Sequence, residues 1–280
     1  MITLKKSAAA WVIAFVMGLL AVVHLASEGG TLEPWRPIAR GVEYGVFQMS
    51  GSEGGEERVH VVRIDPAQAA LKLVLASEQD RKLRTTAEWC KDFNLIAATN
   101  AGMFLKDYST NVGYLRNGSH VQNKRWNRKY KSALAFDPRE AGIPPAIMVD
   151  LDEPGAMMKL EGYRAVIQNL RLIKGNGIKV WEKSDRQWSE AAVGMDHEGR
   201  VLFLFCSSAF SMWEFNERVK ALDLGVARLM HMEGGSVAGL SIRAGDFKID
   251  LAGSFDTLLE ANEMGMGQQL IPNVLGVQAR

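Results

Sequence analysis

The chain has 280 residues, 47% of them hydrophobic, and its 33 Lys or Arg stand against 32 Asp or Glu for a formal net charge of +1. That length and composition suffice for one large core and exclude a disordered protein. The charge balance excludes a protein that binds nucleic acid by overall basicity, and equally an acidic tail protein, so any electrostatic partner must be met locally.

Lys5 and Lys6 precede an uncharged stretch, residues 7–27, that includes Trp11, Phe15, Leu19 and Leu20. Residues 1–27 therefore read as a signal peptide or a membrane anchor. Ala26 suits the end of a cleavage site, but His24 occupies the −3 position where a small residue is expected. Left uncleaved, residues 8–26 are just long enough to span the inner membrane. The lysine pair would then hold the amino end in the cytoplasm and place the working domain in the periplasm or otherwise outside the cytoplasm. Residues 28–40 read as a polar linker, and 41–280 as a single domain.

Strands are expected at 41–47, 59–64 and 71–75 from β-branched and alternating residues. Thr85 and Glu88 carry a capping signal for a short helix through Phe93. The apolar run 95–98 leads into Asn100-Ala101-Gly102-Met103-Phe104, and strands follow at 112–116, 132–136, 146–151, 164–167, 191–196 and 201–206. Residues 196–199 read as a hairpin turn with solvated acids. Phe215, Val219 and Leu222 share one face of a helix over 211–222, capped by Ser208 or Ser211 and ended by Gly225. A second apolar strand then runs into His231-Met232-Glu233-Gly234-Gly235-Ser236, which completes a strand, helix, strand crossover. Ile271-Pro272-Asn273-Val274 opens a closing strand, read as an edge strand because of its proline. The expected fold is α+β, a mixed and largely antiparallel central sheet with packed helices.

Two glycine-containing strand ends, at 100–104 and 233–236, put bare backbone and a polar side chain where strands stop. Glu233 is the foremost acid: a carboxylate there serves as acid, base or nucleophile, or merely satisfies the turn that follows. Arg116, Lys124, Arg125, Arg128, Lys129 and Lys131, with Trp126 and Tyr130 among them and no acid from 116 to 131, suit an anion such as phosphate, or else a solvated loop. Cys90 and Cys206 are expected as separate buried thiols. No CxxC motif or Cys/His cluster supports a zinc site.

Residues 100–104, Val112-Gly113-Tyr114-Leu115 ahead of Asn117-Gly118, residues 191–196, residues 231–236 and the closing 271–274 resemble, in that order, the phosphodiester glycosidase domain family. The resemblance implies hydrolysis between a sugar's anomeric carbon and a phosphodiester oxygen, with no cofactor or metal. It implies Glu233 as nucleophile or base, Asn100 and the Gly102 backbone orienting the sugar, and Asp107 as a reserve carboxylate. Lys124 or Arg125 would balance phosphate charge, and Gly234, Gly235 and Ser236 would shape the oxyanion side, with Phe104, Gly113 and Gln168 also binding substrate. The family usually carries Asp where Glu233 stands, and a Ser-Gly-Pro-like segment where Asn169-Leu170-Arg171 follows Gln168. The expected partner is a sugar-phosphate or glycan of the envelope or of an exopolysaccharide, not nucleic acid. A non-catalytic carbohydrate or envelope-polymer binding protein is the alternative. Hydrolysis at phosphorus, which normally calls for a metal cluster, ranks last.

Overall fold

Strand accounts for 50% of the described residues and helix for 14%, so the fold is mainly β, and the expected balance of α and β is corrected. The computed structural model describes residues 35–49, 57–254 and 267–280, all within one unit, Trp35–Arg280. The signal peptide or anchor expected over 1–27, and the linker as far as residue 34, lie outside the described residues. From Trp35 the expected linker is already strand. Among the described residues no helix is long and apolar enough to cross a membrane.

In place of one central mixed sheet there are three, and every strand pairing among the described residues is antiparallel. Numbered along the chain, the largest sheet runs β1 (Trp35–Ala39), β2 (Val42–Gln48), β3 (Arg58–Ile64), β14 (Val201–Phe210), β13 (Trp188–Asp196), β15 (Val226–Gly234), β11 (Arg171–Lys174), β12 (Ile178–Lys179). The second runs β7 (His120–Asn123), β6 (Leu115–Asn117), β10 (Tyr163–Asn169), β8 (Ser132–Pro138), β9 (Ala146–Asp150). The third runs β17 (Phe247–Ala252), β16 (Gly239–Ala244), β5 (Ala97–Asn100), β18 (Asn273–Ala279), β4 (Ala69–Leu75).

All three sheets turn one face to a common core, where Phe203, Phe205 and Met232 from the first meet Leu134 and Ile167 from the second and Leu240 and Leu275 from the third. Each outer face then needs its own cover, and each receives one helix. Trp89 and Cys90 of α1 (Thr86–Asp92) cover the third sheet. Ala156 and Leu160 of α2 (Ala156–Glu161) cover the second. Phe215 and Val219 of α3 (Met212–Ala221) cover the first. Burial on both faces explains why β14 begins as the unbroken apolar run 201–206 instead of alternating.

The helix starts follow the sequence signals. Thr85 and Glu88 form a reciprocal capping box on α1, and Ser211 with Glu214 forms another on α3. The crossover from β14 through α3 to β15 is present, with β13 lying between the two strands it joins. The closing strand β18 is interior, between β5 and β4, because Pro272 stops one residue short of the ladder and costs it no hydrogen bond. In the β13–β14 turn Asp196 is buried, not solvated: it accepts from the backbone N–H of Glu198 and Arg200 and from the Arg200 guanidinium. Cys90 and Cys206 are both free and buried, and burial pushes their thiols up to about 12 and about 11, so neither is a ready thiolate.

Asp150, 0% exposed at the end of β9, ties the second sheet to the first. It accepts from Gly175 N at 2.8 Å, Arg228 Nε at 3.0 Å and Arg171 Nη1 at 3.4 Å. Removing one member of a buried ionic cluster strands the rest without a counter-charge. Asp150→Ala is expected to cost about 3–5 kcal/mol in denaturant unfolding; a loss below about 1 kcal/mol would show that water replaces the carboxylate.

Candidate active site

The two glycine-containing strand ends meet through side-chain amides. Asn100, the last residue of β5, donates from Nδ2 to Val237 O at 2.9 Å and accepts at Oδ1 from Gly239 N at 2.8 Å. It thereby clamps the turn that follows Glu233, Gly234, Gly235 and Ser236. Asn169 at the end of β10 donates to Met232 O at 3.2 Å. Gly102 fits into the same junction with φ +118°, where a Cβ would stand 2.9 Å from Asn111 Oδ1 and 3.2 Å from Asn169 Nδ2. A side chain is excluded there by backbone conformation and by space together.

Asn111 is fully buried and donates to Gly113 O at 3.1 Å, yet its Oδ1 finds no donor among the described residues. The site thus holds an unused acceptor beside Gly102. Gly113 itself lies buried against the backbone carbonyl of Gln168.

Glu233 is 9% exposed, and Gly234 N, at 3.1 Å from Oε1, is its sole hydrogen-bond donor among the described residues. Burial pushes its carboxyl up to about 7, against the lowering effects of His231 and the Gly234 N–H and with a further raising effect from Glu190. Behind it, His231 Nδ1 and Glu190 Oε1 are 2.5 Å apart, and Glu190 Oε2 accepts from Trp188 Nε1 at 3.1 Å. Burial alone would lower the His231 imidazole; Glu190, its hydrogen bond and then Glu233 outweigh burial and leave it raised. The β13–β15 register slips here: His231 faces Ala192 but Glu233 faces Ala191, so Met232 is an extra, bulged residue. Gly234 then lies opposite Glu190, and a Cβ on it would come within 2.5 Å of the Trp188 ring.

The basic segment is anchored by Gln168. Its Oε1 accepts from Tyr114 N and Asn127 N at 3.0 and 2.9 Å, and its Nε2 donates to Asn127 O and Tyr130 O at 2.8 and 2.9 Å. All its hydrogen-bonding capacity is spent, so Gln168, expected at the substrate, holds the loop instead. Trp126 stacks on Tyr114 with ring centroids 4.3 Å apart and planes 4° from parallel. Lys124, Arg125, Arg128, Lys129 and Lys131 are exposed, and none has a carboxylate partner among the described residues. Burial, and then the Glu233 charge, raise the Tyr130 phenol. Arg116 leaves the group: its Nη2 donates to Tyr163 O at 2.6 Å.

Two other expected residues lie on the loop that follows Gly102. Asp107 is exposed and spends its carboxylate on Thr110 Oγ1 and on the backbone N–H of Ser109 and Thr110, which hold it below the usual carboxylate range. It organises its own loop. Phe104 is half-buried, pairs with Asn111 by a single bridge and packs against Tyr108. The expected strand begins at Ala191 and leaves Glu190 out, whereas the observed one begins at Trp188. The signal for Glu190 is parity: it shares a strand face with Ala192, on an apolar strand where an acid needs a partner.

The raised carboxyl of Glu233 sets a pH dependence. Its folded-state value, about 7, lies above its ordinary 4.5, so folding takes up a proton between them and stability falls as pH rises through about 7. Glu233→Gln is expected to be more stable than the native chain at pH 8 by up to about 3 kcal/mol, the gap closing below pH 5. Denaturant midpoints at the two pH values check this, and equal midpoints at pH 8 would contradict it.

The sequence model of the phosphodiester glycosidase family matches residues 93–278, which contain every residue of this site. No curated protein matches the chain. Among solved structures, the chain is similar to the catalytic domain of zebrafish N-acetylglucosamine-1-phosphodiester alpha-N-acetylglucosaminidase auto-inhibited by its pro-peptide, with a TM-score of 0.61 and 12% identity over 86% of this chain and 85% of that one. It is also similar to a hypothetical protein from Synechocystis, with a TM-score of 0.57 and 14% identity over 86% of this chain and 62% of that one. At these identities the structural likeness speaks for the fold alone, whereas the family match spans most of the chain. The chain belongs to the phosphodiester glycosidase family.

Proposed function

We propose that the protein hydrolyses a sugar-1-phosphodiester, with Glu233 as general base toward the water that attacks the anomeric carbon. The observation that carries the reading is a nearly buried carboxylate poised at about 7 on a glycine-flanked strand end. A base is most effective when its pKa lies near the working pH. The departing phosphate monoester leaves as an anion, so a second carboxylate to protonate it is less needed than in ordinary glycoside hydrolysis. Lys124 and Arg125, exposed on the loop that Gln168 holds, supply positive charge for that phosphate.

Asn100 in this reading is a positioning residue, since its amide is committed to the turn after Glu233. The unused Asn111 Oδ1 beside Gly102 would take a sugar hydroxyl. Gly234, Gly235 and Ser236, half-buried behind the acid, leave backbone on the oxyanion side. The apolar stretch after Lys5 and Lys6 supports an extracytoplasmic enzyme acting on an envelope or exopolysaccharide-related glycan.

The test is a panel of sugar-1-phosphodiesters offered to the full-length protein in oxygen-18 water. The label is expected in the sugar, and its appearance in phosphate would overturn the reading. Glu233→Gln should lower kcat by at least about 100-fold; near-native turnover would remove Glu233 from the chemistry. Lys124→Ala with Arg125→Ala should raise KM by about 10-fold or more while changing kcat little. Saturable binding with no sugar released would instead mark a binding protein.

A further inference from the structure

His231 and Glu190 form a buried ionic pair, each side chain 3% exposed, on a sheet face that is otherwise apolar. His231 lies opposite Ala192, and that face carries Ala192, Leu204, Cys206 and Leu229. An apolar side chain at position 231 would continue the pattern and avoid the desolvation of two charges, so stability alone is a weak reason for the pair. Its histidine lies two residues before Glu233 on β15, and its glutamate lies opposite Gly234, the residue after Glu233.

We propose that Glu190 and His231 are positioning residues for Glu233: Glu190, paired with His231 in the buried sheet, holds it as an imidazolium, and that fixed positive charge stabilises the Glu233 carboxylate as an anion. The inference rests on the reading of Glu233 as the catalytic base. The groups facing these side chains from each neighbouring element are few. β13 contributes Glu190 and the Trp188 indole, β14 contributes Cys206, whose thiol Glu190 raises, and the basic loop contributes Tyr130, whose phenol Glu233 raises. The turn contributes the Gly234 N–H. Among these described groups His231 alone can be a cation. His231 favours the Glu233 anion, against burial and Glu190, which oppose it.

The experiment follows both groups by NMR in the full-length protein, with carboxyl-labelled Glu and ring-labelled His assigned from the backbone and by Glu233→Gln. The native chain should show a doubly protonated His231 ring at pH 7. His231→Asn keeps a donor toward Glu190 but removes the charge. It should move the Glu233 midpoint upward by about one pH unit or more, and the acid limb of kcat/KM with it, so that activity falls about 10-fold at pH 6.5 and recovers at pH 9. A neutral His231 ring in the native chain at pH 7 overturns the proposal even where the variant fails to fold. So does an unmoved Glu233 midpoint in a folded variant. Should Glu233→Gln stay active, the reading of the base fails while the titrations still decide whether His231 controls Glu233.

Discussion

Three sheets sharing one core is the constraint on which the rest of the molecule depends. Phe203, Phe205, Leu134, Ile167, Leu240 and Leu275 can all be buried at once only if the three sheets face inward together. Strands from different sheets must then end near one another. At β5, β10 and β15 the ladders stop and leave backbone groups in need of partners. Asn169 supplies one from the second sheet to Met232 of the first, and Asn100 of the third sheet ties down the turn that leaves β15, at Val237 and at Gly239, where β16 begins. The active-site junction is where three independent hydrogen-bonding systems are spliced together.

Polar groups around that junction fall into two kinds, and the contrast separates scaffold from chemistry. Gln168 and Asp107 are saturated: every strong acceptor or donor they own is engaged by nearby backbone or hydroxyl groups. Glu233, Asn111 Oδ1 and the exposed lysines and arginines of the loop are under-used in the same region. A buried polar atom without a partner is costly, and a protein keeps it where a ligand completes it. Saturation of Gln168 still matters for function, because it fixes where the free cations stand.

Legibility in the sequence followed the range of each interaction. The capping boxes at Thr85 and Ser211 are each contained within four residues, so the first is readable directly and the second as one of two candidate caps, Ser208 or Ser211. The unbroken run of β14 declared a strand buried on both faces, and Glu233 stood out as an acid at the end of an apolar strand. Contacts across long separations were not readable. Nothing local says that β18 inserts between β5 and β4, or that the helices each cap a separate sheet instead of flanking a single one. Gln168 and Glu190 show the same limit: each reads as a polar residue on a strand, and only partners 38 or more positions away distinguish a loop clamp from a substrate ligand, or expose an ion pair. Asp196 was legible as a turn residue but not as a buried one, since its burial depends on the Arg200 side chain folding back over it.

The bulge at Met232 carries a consequence for how this site tolerates its own charge. In an unbroken register, with His231 opposite Ala192, the next pairs would be Met232 with Ala191 and Glu233 with Glu190. Two buried carboxylates would then stand face to face across adjacent strands, an arrangement that destabilises a sheet. One inserted residue slides Glu233 to the position opposite Ala191 and brings Gly234, which has neither charge nor side chain, opposite Glu190. The vacated space is filled by the Trp188 ring, whose indole N–H turns to Glu190. A single extra backbone unit thus works as an electrostatic spacer, keeping Glu233 out of register with the acid that pairs with His231.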